Sequence, residues 1–204
     1  MNRKGFTLLE LLLTMAILIV IGAAGFKIQR DFLSTNRFLQ ETLLSQSEAQ
    51  SVMTHIIEEI RTAEQSDLGG YPIEIANESS FAFYANIDSD AARERVHYFT
   101  KGNMIKRSII KSAGSPATYA TSSGIAKETV TTVLYDIITN PPTPLFNYYP
   151  GTYAGTTSPL TAPVDISKIR LISVTLTTDK TLTLPPPAIV VSSKVSIRNL
   201  KDNL

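Results

Sequence analysis

From Thr7 to Phe26 the chain carries a single charge, Glu10, in a run that is otherwise leucine, isoleucine, valine, alanine and glycine with two threonines, a methionine and the closing phenylalanine. From Phe6 to Phe26, about 21 residues rising 1.5 Å each make a helix of roughly 31 Å, close to the roughly 30 Å hydrocarbon core of a bilayer. The helical period then continues in an amphipathic form. Phe32, Leu39, Leu43, Val52, Met53, Ile56, Ile57, Ile60 and Ala63 recur at spacings of three, four and seven among Arg30, Asp31, Arg37, Glu41, Glu48, Glu58, Glu59 and Arg61. This pattern predicts one long helix from Phe6 to about Gln65, roughly 90 Å in length, with a membrane half and a packed half. Its apolar stripe from Phe32 to Ala63 has to be covered, and the rest of the chain is the candidate cover. Gly22 and Gly25 mark a weak point between the two halves.

After the breaker "SDLGGYP" at Ser66 to Pro72 the period changes to two. "PIEIAN", "SSFAFYAN", "RVHYFT" and "NMIKRSII" read as short strands separated by "IDSDAAR" and "KGN", with Phe81 and Phe83 on one face. An antiparallel meander on the helix is the expectation. Lys111 to Lys127 is small and polar, a surface loop. "ETVTTVLYDIIT" fits either a short helix or a strand. "PPTPLFNYYPGTYAGTTSP" is a proline and aromatic loop region in which "LFNYY" is a candidate strand. Two late strands are expected at Ile166 to Thr178 and Ala188 to Asn199, and Pro185 to Pro187 exclude a central strand between them. The fold class is α+β, a long N-terminal helix against an antiparallel sheet.

Composition narrows the partners. Nineteen basic and 18 acidic residues, scattered along 204 positions, give a net charge of +1 and no basic stripe of the kind nucleic acid requires. The absence of cysteine excludes disulfides, thiolate metal sites and a cysteine nucleophile. His55 and His97 stand alone, one in the helix and one in a strand, without an "HExxH" pattern. Glu58 and Glu59 are neighbours that point different ways from a helix, so a solvated face explains them better than a carboxylate pair. Asp88 and Asp90 in "NIDSD" offer oxygen ligands for calcium, but the EF-hand pattern is missing and a turn explains them as well. The serine-rich "GSPATYATSSG" lacks both a nucleophile elbow and a phosphate loop. No catalytic set, cofactor or metal is assigned, and the chain reads as a non-enzyme.

The carboxylate in the apolar run is the feature that most needs a reason, since an acidic residue at the centre of such a helix costs about 2.5 to 3.5 kcal/mol on insertion, and less near its end. Three readings of the N-terminus compete: a cleaved secretory signal ending at "IGAAG", a plain anchor, and a segment trimmed near Gly5 and then retained. A secretory signal has no use for Glu10, and the helical pattern continues beyond Gly25, which favours the other two.

"RKGFTLLELLLTMAILIVIG" resembles the N-terminal signature of type IV pilins and type II secretion pseudopilins: a short basic leader with Arg3 and Lys4, Gly5, then Phe6, Glu10 and a long charge-free helix. By that resemblance a prepilin peptidase cuts between Gly5 and Phe6 and the new Phe6 amine is methylated. Such an amine is largely cationic at neutral pH. Glu10, one turn along, can neutralise its own terminus or that of a neighbour, and the family favours the neighbour during assembly. Many major pilins carry a proline just after the apolar run, where this chain has Lys27. The order of later segments, with "FAFYA", "VHYF", "MIKRS", "PLFNYY" and "VSIRNL", is similar to PilW-type minor pilins and J-type pseudopilins.

The resemblance implies four regions: a leader at 1–5, a transmembrane and assembly helix at 6–26, an amphipathic helix at 27–65 and a β-rich head at 66–204. It implies a structural minor pilin or pseudopilin in a type IV pilus or type II secretion pseudopilus, near the tip. Its partners would be the prepilin peptidase, other pilin or pseudopilin subunits, the inner-membrane assembly platform and membrane lipid, with no nucleic acid. It would cross the inner membrane once with its C-terminal head outside the cytoplasm. The rival reading is a membrane-tethered extracytoplasmic binding or enzymatic domain with an uncleaved anchor.

Overall fold

The structure, a computed structural model, describes residues 7–88, 90–122, 124–138, 143–178 and 188–200. The chain divides into two compact units, Met1–Leu44 and Ser45–Leu204. Helix α1 spans Leu8–Arg61 and runs unbroken through Gly22 and Gly25. A glycine costs a helix about 1 kcal/mol relative to alanine, too little to interrupt continuous backbone bonding. The expected proline-rich link at Pro185 to Pro187 lies outside the described residues.

The apolar stripe on α1 is covered over only part of the length that its period implies. Phe32, Leu39 and Leu43 are all more than half exposed, whereas Ala49, Met53, Ile56, Ile57 and Ile60 are buried. Periodicity sets which face of a helix is apolar; it does not set how many turns of that face find a cover. The helix ends four residues before Gln65. There the Thr62 hydroxyl donates to the Glu59 carbonyl at 2.9 Å, the Ala63 amide bonds the Ile60 carbonyl at 3.2 Å, and Asn199 Nδ2 caps the Ala63 carbonyl at 2.9 Å. The late 3₁₀ turn Arg198–Leu200 thus holds the chain just past the helix, at a carbonyl two residues beyond Arg61.

Five strands follow as an antiparallel meander: β1 Ile73–Asn77, β2 Ser80–Ala85, β3 Glu94–Lys101, β4 Met104–Lys111 and β5 Glu128–Leu134, in that spatial order. The "KGN" turn pairs Lys101 with Met104 around Gly102 and Asn103, and Gly102 has φ +61°. Glycine at the first central position of a two-residue hairpin is what a type II′ turn asks for. The ambiguous "ETVTTVL" is a strand, because β4 offers it a free edge and its Thr and Val residues suit a pleated surface.

A second antiparallel sheet has the order β6 Phe146–Tyr149, β7 Leu171–Thr178 and β8 Ile189–Val195. Both late strands are shorter than the sequence pattern suggests. Ile166–Lys168 forms a 3₁₀ turn instead, capped by Asp165, whose Oδ1 accepts the Ser167 amide at 3.1 Å. The two sheets join through aromatic residues. Phe81 on β2 lies 5.3 Å from Phe83, 5.4 Å from Phe146 and 5.8 Å from Tyr148, ring centre to ring centre. The Tyr148 hydroxyl donates to the Asn77 carbonyl at 2.8 Å, and the Phe146 amide donates to the Glu78 carbonyl at 2.9 Å.

Met53, Ile56, Ile57, Ile60 and Ala63 enter the same buried cluster as Phe83, Tyr98 and Ile105. At about 1.5 to 3 kcal/mol for each fully buried large apolar side chain, this contact holds the end of α1 to the strands. The arrangement is α+β, one long N-terminal helix and antiparallel sheets, consistent with the pilin fold.

Candidate functional site

Gly5 and Phe6 lie outside the described residues, so the geometry of this end of the chain begins at Thr7. Thr7 and Glu10 form a reciprocal pair. The Thr7 amide donates to Glu10 Oε2 at 3.0 Å, the Thr7 hydroxyl donates to the same oxygen at 3.1 Å, and the Glu10 amide donates to Thr7 Oγ1 at 3.3 Å. This is a capping box, in which a threonine and the glutamate three positions on satisfy each other's orphan backbone donors. The acid also sits at the positive end of the helix dipole. Among the described residues Glu10 Oε1 takes no bond. Thr7 is a site residue that the sequence reading passed over, although the spacing T-x-x-E before an apolar run is the signal that finds it.

Behind this cap the helix presents apolar side chains on all sides. Leu8, Leu9, Leu12, Ile17, Leu18 and Ile21 are each at least half exposed, and the segment is long and apolar enough to cross a membrane. In water such a surface is costly. In lipid it is the solvated state, with every backbone group satisfied inside the helix.

The other candidate residues are placed apart. His55 is on α1 and exposed, with Nε2 3.2 Å from Glu59 Oε1. His97 is on β3, bonded to Ser80 Oγ at 2.8 Å and stacked 4.8 Å from Phe99. Burial, and then the Arg95 charge, hold the imidazole of His97 below its ordinary pKa. The two histidines share no metal-ligating group among the described residues.

Glu59 corrects the expectation of a solvated pair. Glu58 is exposed, but Glu59 is only 7% exposed and faces the sheet. Its Oε2 accepts from the Tyr98 hydroxyl at 2.6 Å and from Arg107 Nε at 3.1 Å, and its Oε1 pairs with the second guanidinium nitrogen. Burial, and then the Glu59 charge, push the Tyr98 hydroxyl well above the usual tyrosine range. A buried acid with a forked arginine partner and a tyrosine donor is a structural clasp between α1, β3 and β4.

Asp88 and Asp90 lie in the β2–β3 turn, both exposed, and Lys111 Nζ bridges them, 3.0 Å from Asp88 Oδ2 and bonded to Asp90 Oδ2. Sequence reading missed Glu94, which is buried beside them at the start of β3. Burial is the main cause that holds its carboxyl above the ordinary range.

Residues 1–26 match the family model described as the prokaryotic N-terminal methylation motif. No curated protein matches the chain significantly. The motif supports a type IV pilin or pseudopilin, and with it processing by a prepilin peptidase, methylation and assembly with other pilin subunits, and together with the apolar helix it fits a membrane-anchored protein.

Proposed function

We propose that this chain is a structural subunit, a minor pilin or pseudopilin, that enters a type IV pilus or type II secretion pseudopilus through α1 and occupies a position near the tip. The observation that carries the reading is the methylation motif over residues 1–26, set on a helix whose only charge before Lys27 is Glu10 in a capping box. Support for a minor rather than a major subunit comes from the large head, residues 66–204, and from a segment order that resembles that of PilW-type and J-type proteins. The regions 1–5, 6–26, 27–65 and 66–204 act as leader, assembly helix, helical support and head. The protein crosses the inner membrane once, with the head outside the cytoplasm.

The peptidase cuts between Gly5 and Phe6, where a glycine lets an enzyme approach the backbone closely. The freed Phe6 amine is methylated and remains largely cationic. In the membrane the capping box supplies Glu10 with donors worth about 1.5 to 3 kcal/mol for a charged acceptor, comparable with the insertion cost of an acid. On assembly, Glu10 pairs with the Phe6 amine of a neighbouring subunit. A charge left unpaired in such surroundings costs about 3 to 5 kcal/mol, which makes correct axial docking strongly preferred.

Intact-mass and N-terminal peptide mass spectrometry of the protein from its native membrane tests this reading. Expected is a chain that begins at Phe6 with one added methyl group. An intact Met1, or a start after Gly25, would sink the proposal in favour of an uncleaved anchor or a secretory signal.

A further inference from the structure

β5 ends the five-stranded sheet, so one of its edges has no strand beside it among the described residues. Which backbone groups face that edge follows from the hairpin before it. The two-residue turn at Gly102 and Asn103 closes on Lys101 and Met104, a hydrogen-bonded pair, and along an antiparallel ladder bonded and non-bonded pairs alternate. Lys106 and Ser108 therefore turn their backbone groups to β3, and Arg107 and Ile109 turn theirs to β5. The Arg107 carbonyl accordingly accepts the Thr131 hydroxyl at 3.4 Å. Arg107 lies opposite Thr131 and Ile109 opposite Thr129, so Glu128, Val130 and Thr132 point their amides and carbonyls away from the sheet.

Proteins blunt such edges with proline, lysine or a bulge. β5 has neither residue between Glu128 and Leu134. Its bulge lies at Val133, the extra residue between Thr132 opposite Lys106 and Leu134 opposite Ile105, and the run from Glu128 to Thr132 keeps a regular register.

An open edge alone is common; this one borders a groove. Thr131 lies in register with Arg107 and Tyr98, whose side chains clasp Glu59, so Thr129 and Thr131 stand on the α1 side of the sheet. Both are exposed, which shows that α1 stops short of covering β5. Between them lies a groove of about 610 Å³, with Val52, Ile56, Tyr98 and Val133 as its apolar lining and His55 and Glu58 on its helical side. The Glu58 carboxylate is exposed and takes no bond among the described residues. A strand added about 4.8 Å beyond β5 would send alternate side chains over this groove.

We propose that the free edge of β5 receives an extended segment of another protein, which pairs with Glu128, Val130 and Thr132 as a sixth strand. Its backbone supplies the hydrogen bonds, and the groove reads every second side chain. The chemistry of the groove calls for apolar residues on that side, with one lysine or arginine placed to meet Glu58. A second copy of this chain does not fit. Antiparallel pairing of one β5 with another has a two-fold axis perpendicular to the sheet, which reverses the direction of α1 in the second copy, and two chains anchored in one bilayer by that helix cannot run opposite ways. The inference stands apart from the filament reading, because it specifies a strand and not the protein that carries it.

The test uses the full-length protein in detergent and the synthetic peptide Val-Thr-Val-Thr-Lys-Thr-Val, blocked at both ends, with amide exchange and peptide titration followed by nuclear magnetic resonance. In the free protein the Val130 and Thr132 amides should exchange fast and those of Thr129 and Thr131 slowly; with peptide all four should be slow. Expected is a dissociation constant of about 1 mM or tighter. Val130→Pro removes an outward amide and no bond to β4, so it should keep the fold by circular dichroism and weaken the peptide about tenfold or more. Glu58→Lys should weaken the same peptide about threefold or more and favour the version with glutamate in place of lysine. No shift of β5 resonances at about 10 mM peptide in folded wild type would overturn the proposal, as would binding indifferent to Val130→Pro. Val130 and Thr132 amides as slow as Thr131 in the free protein would overturn it too, since the edge would then be covered already.

Discussion

Substituting Arg107 with methionine removes the guanidinium from Glu59 and keeps much of the aliphatic stem. The acid then stays behind on α1, 7% exposed, with the Tyr98 hydroxyl at 2.6 Å as its remaining buried donor and the exposed His55 ring at 3.2 Å. Breaking a buried pair from one side costs about 3 to 5 kcal/mol, because the charge that remains is desolvated and uncompensated. The double variant Glu59→Gln with Arg107→Met should recover most of that loss. Glutamine carries no charge, and its carbonyl still accepts from Tyr98, so only the net value of the pair is forfeited, about 1 kcal/mol or less. A fragment beginning at Ile28 serves for the measurement, and it should be monomeric with mixed helix and strand content. The chain has no tryptophan, so urea unfolding is followed by circular dichroism. With a slope of about 1 to 3 kcal/mol per molar urea, the single variant should lower the midpoint by more than about 1 M. A loss below about 1 kcal/mol for Arg107→Met, or a double variant no more stable than the single one, would show that water reaches Glu59 and that the clasp is not the buried pair described.

In the same fragment Ile60→Ala should destabilise by about 2 to 5 kcal/mol and Leu43→Ala by less than about 0.5, since the first is buried and the second is 64% exposed; equal effects would mean that the cover on α1 extends further than described. His97 has a depressed pKa in the folded protein, so its contribution is full above the unfolded value near 6.5 and is lost as pH falls from there to the folded value. Wild type should therefore lose more stability between about pH 7 and 5.5 than His97→Gln, and parallel profiles would remove His97 as the cause. Glu10→Val should insert into membranes as well as or better than wild type, while its recovery in filaments falls sharply by immunoblot; filament recovery at the native level would remove charge pairing from the assembly step.

Local pattern carried much of this protein into legibility. The apolar run, the amphipathic turns after it, the strand alternation around Phe81 and Phe83 and the "KGN" hairpin all depend on residues within a few positions of one another, so period and turn chemistry suffice to find them. The capping box belongs to the same class, since Thr7 and Glu10 are three residues apart. Long-range encounters decided the rest. Nothing near Glu59 tells it from Glu58; its burial follows from Tyr98 and Arg107 on strands 39 and 48 residues away. The stripe on α1 has the same period where it is bare at Leu43 as where it is buried at Ile56, because coverage depends on where the strands lie and not on the helix itself. "ETVTTVL" became β5 only by meeting the free edge of β4. Glu94 joins Asp88 and Asp90 because the β2–β3 pairing folds the turn back on itself, and Lys111 reaches them because β4 pairs it opposite Glu94. Sequence alone thus determined the long helix, the early strands and the apolar run with its one acid, whose causes are local. Burial, partners and the acidic turn waited on the tertiary structure, because each depends on chain segments that only folding brings together.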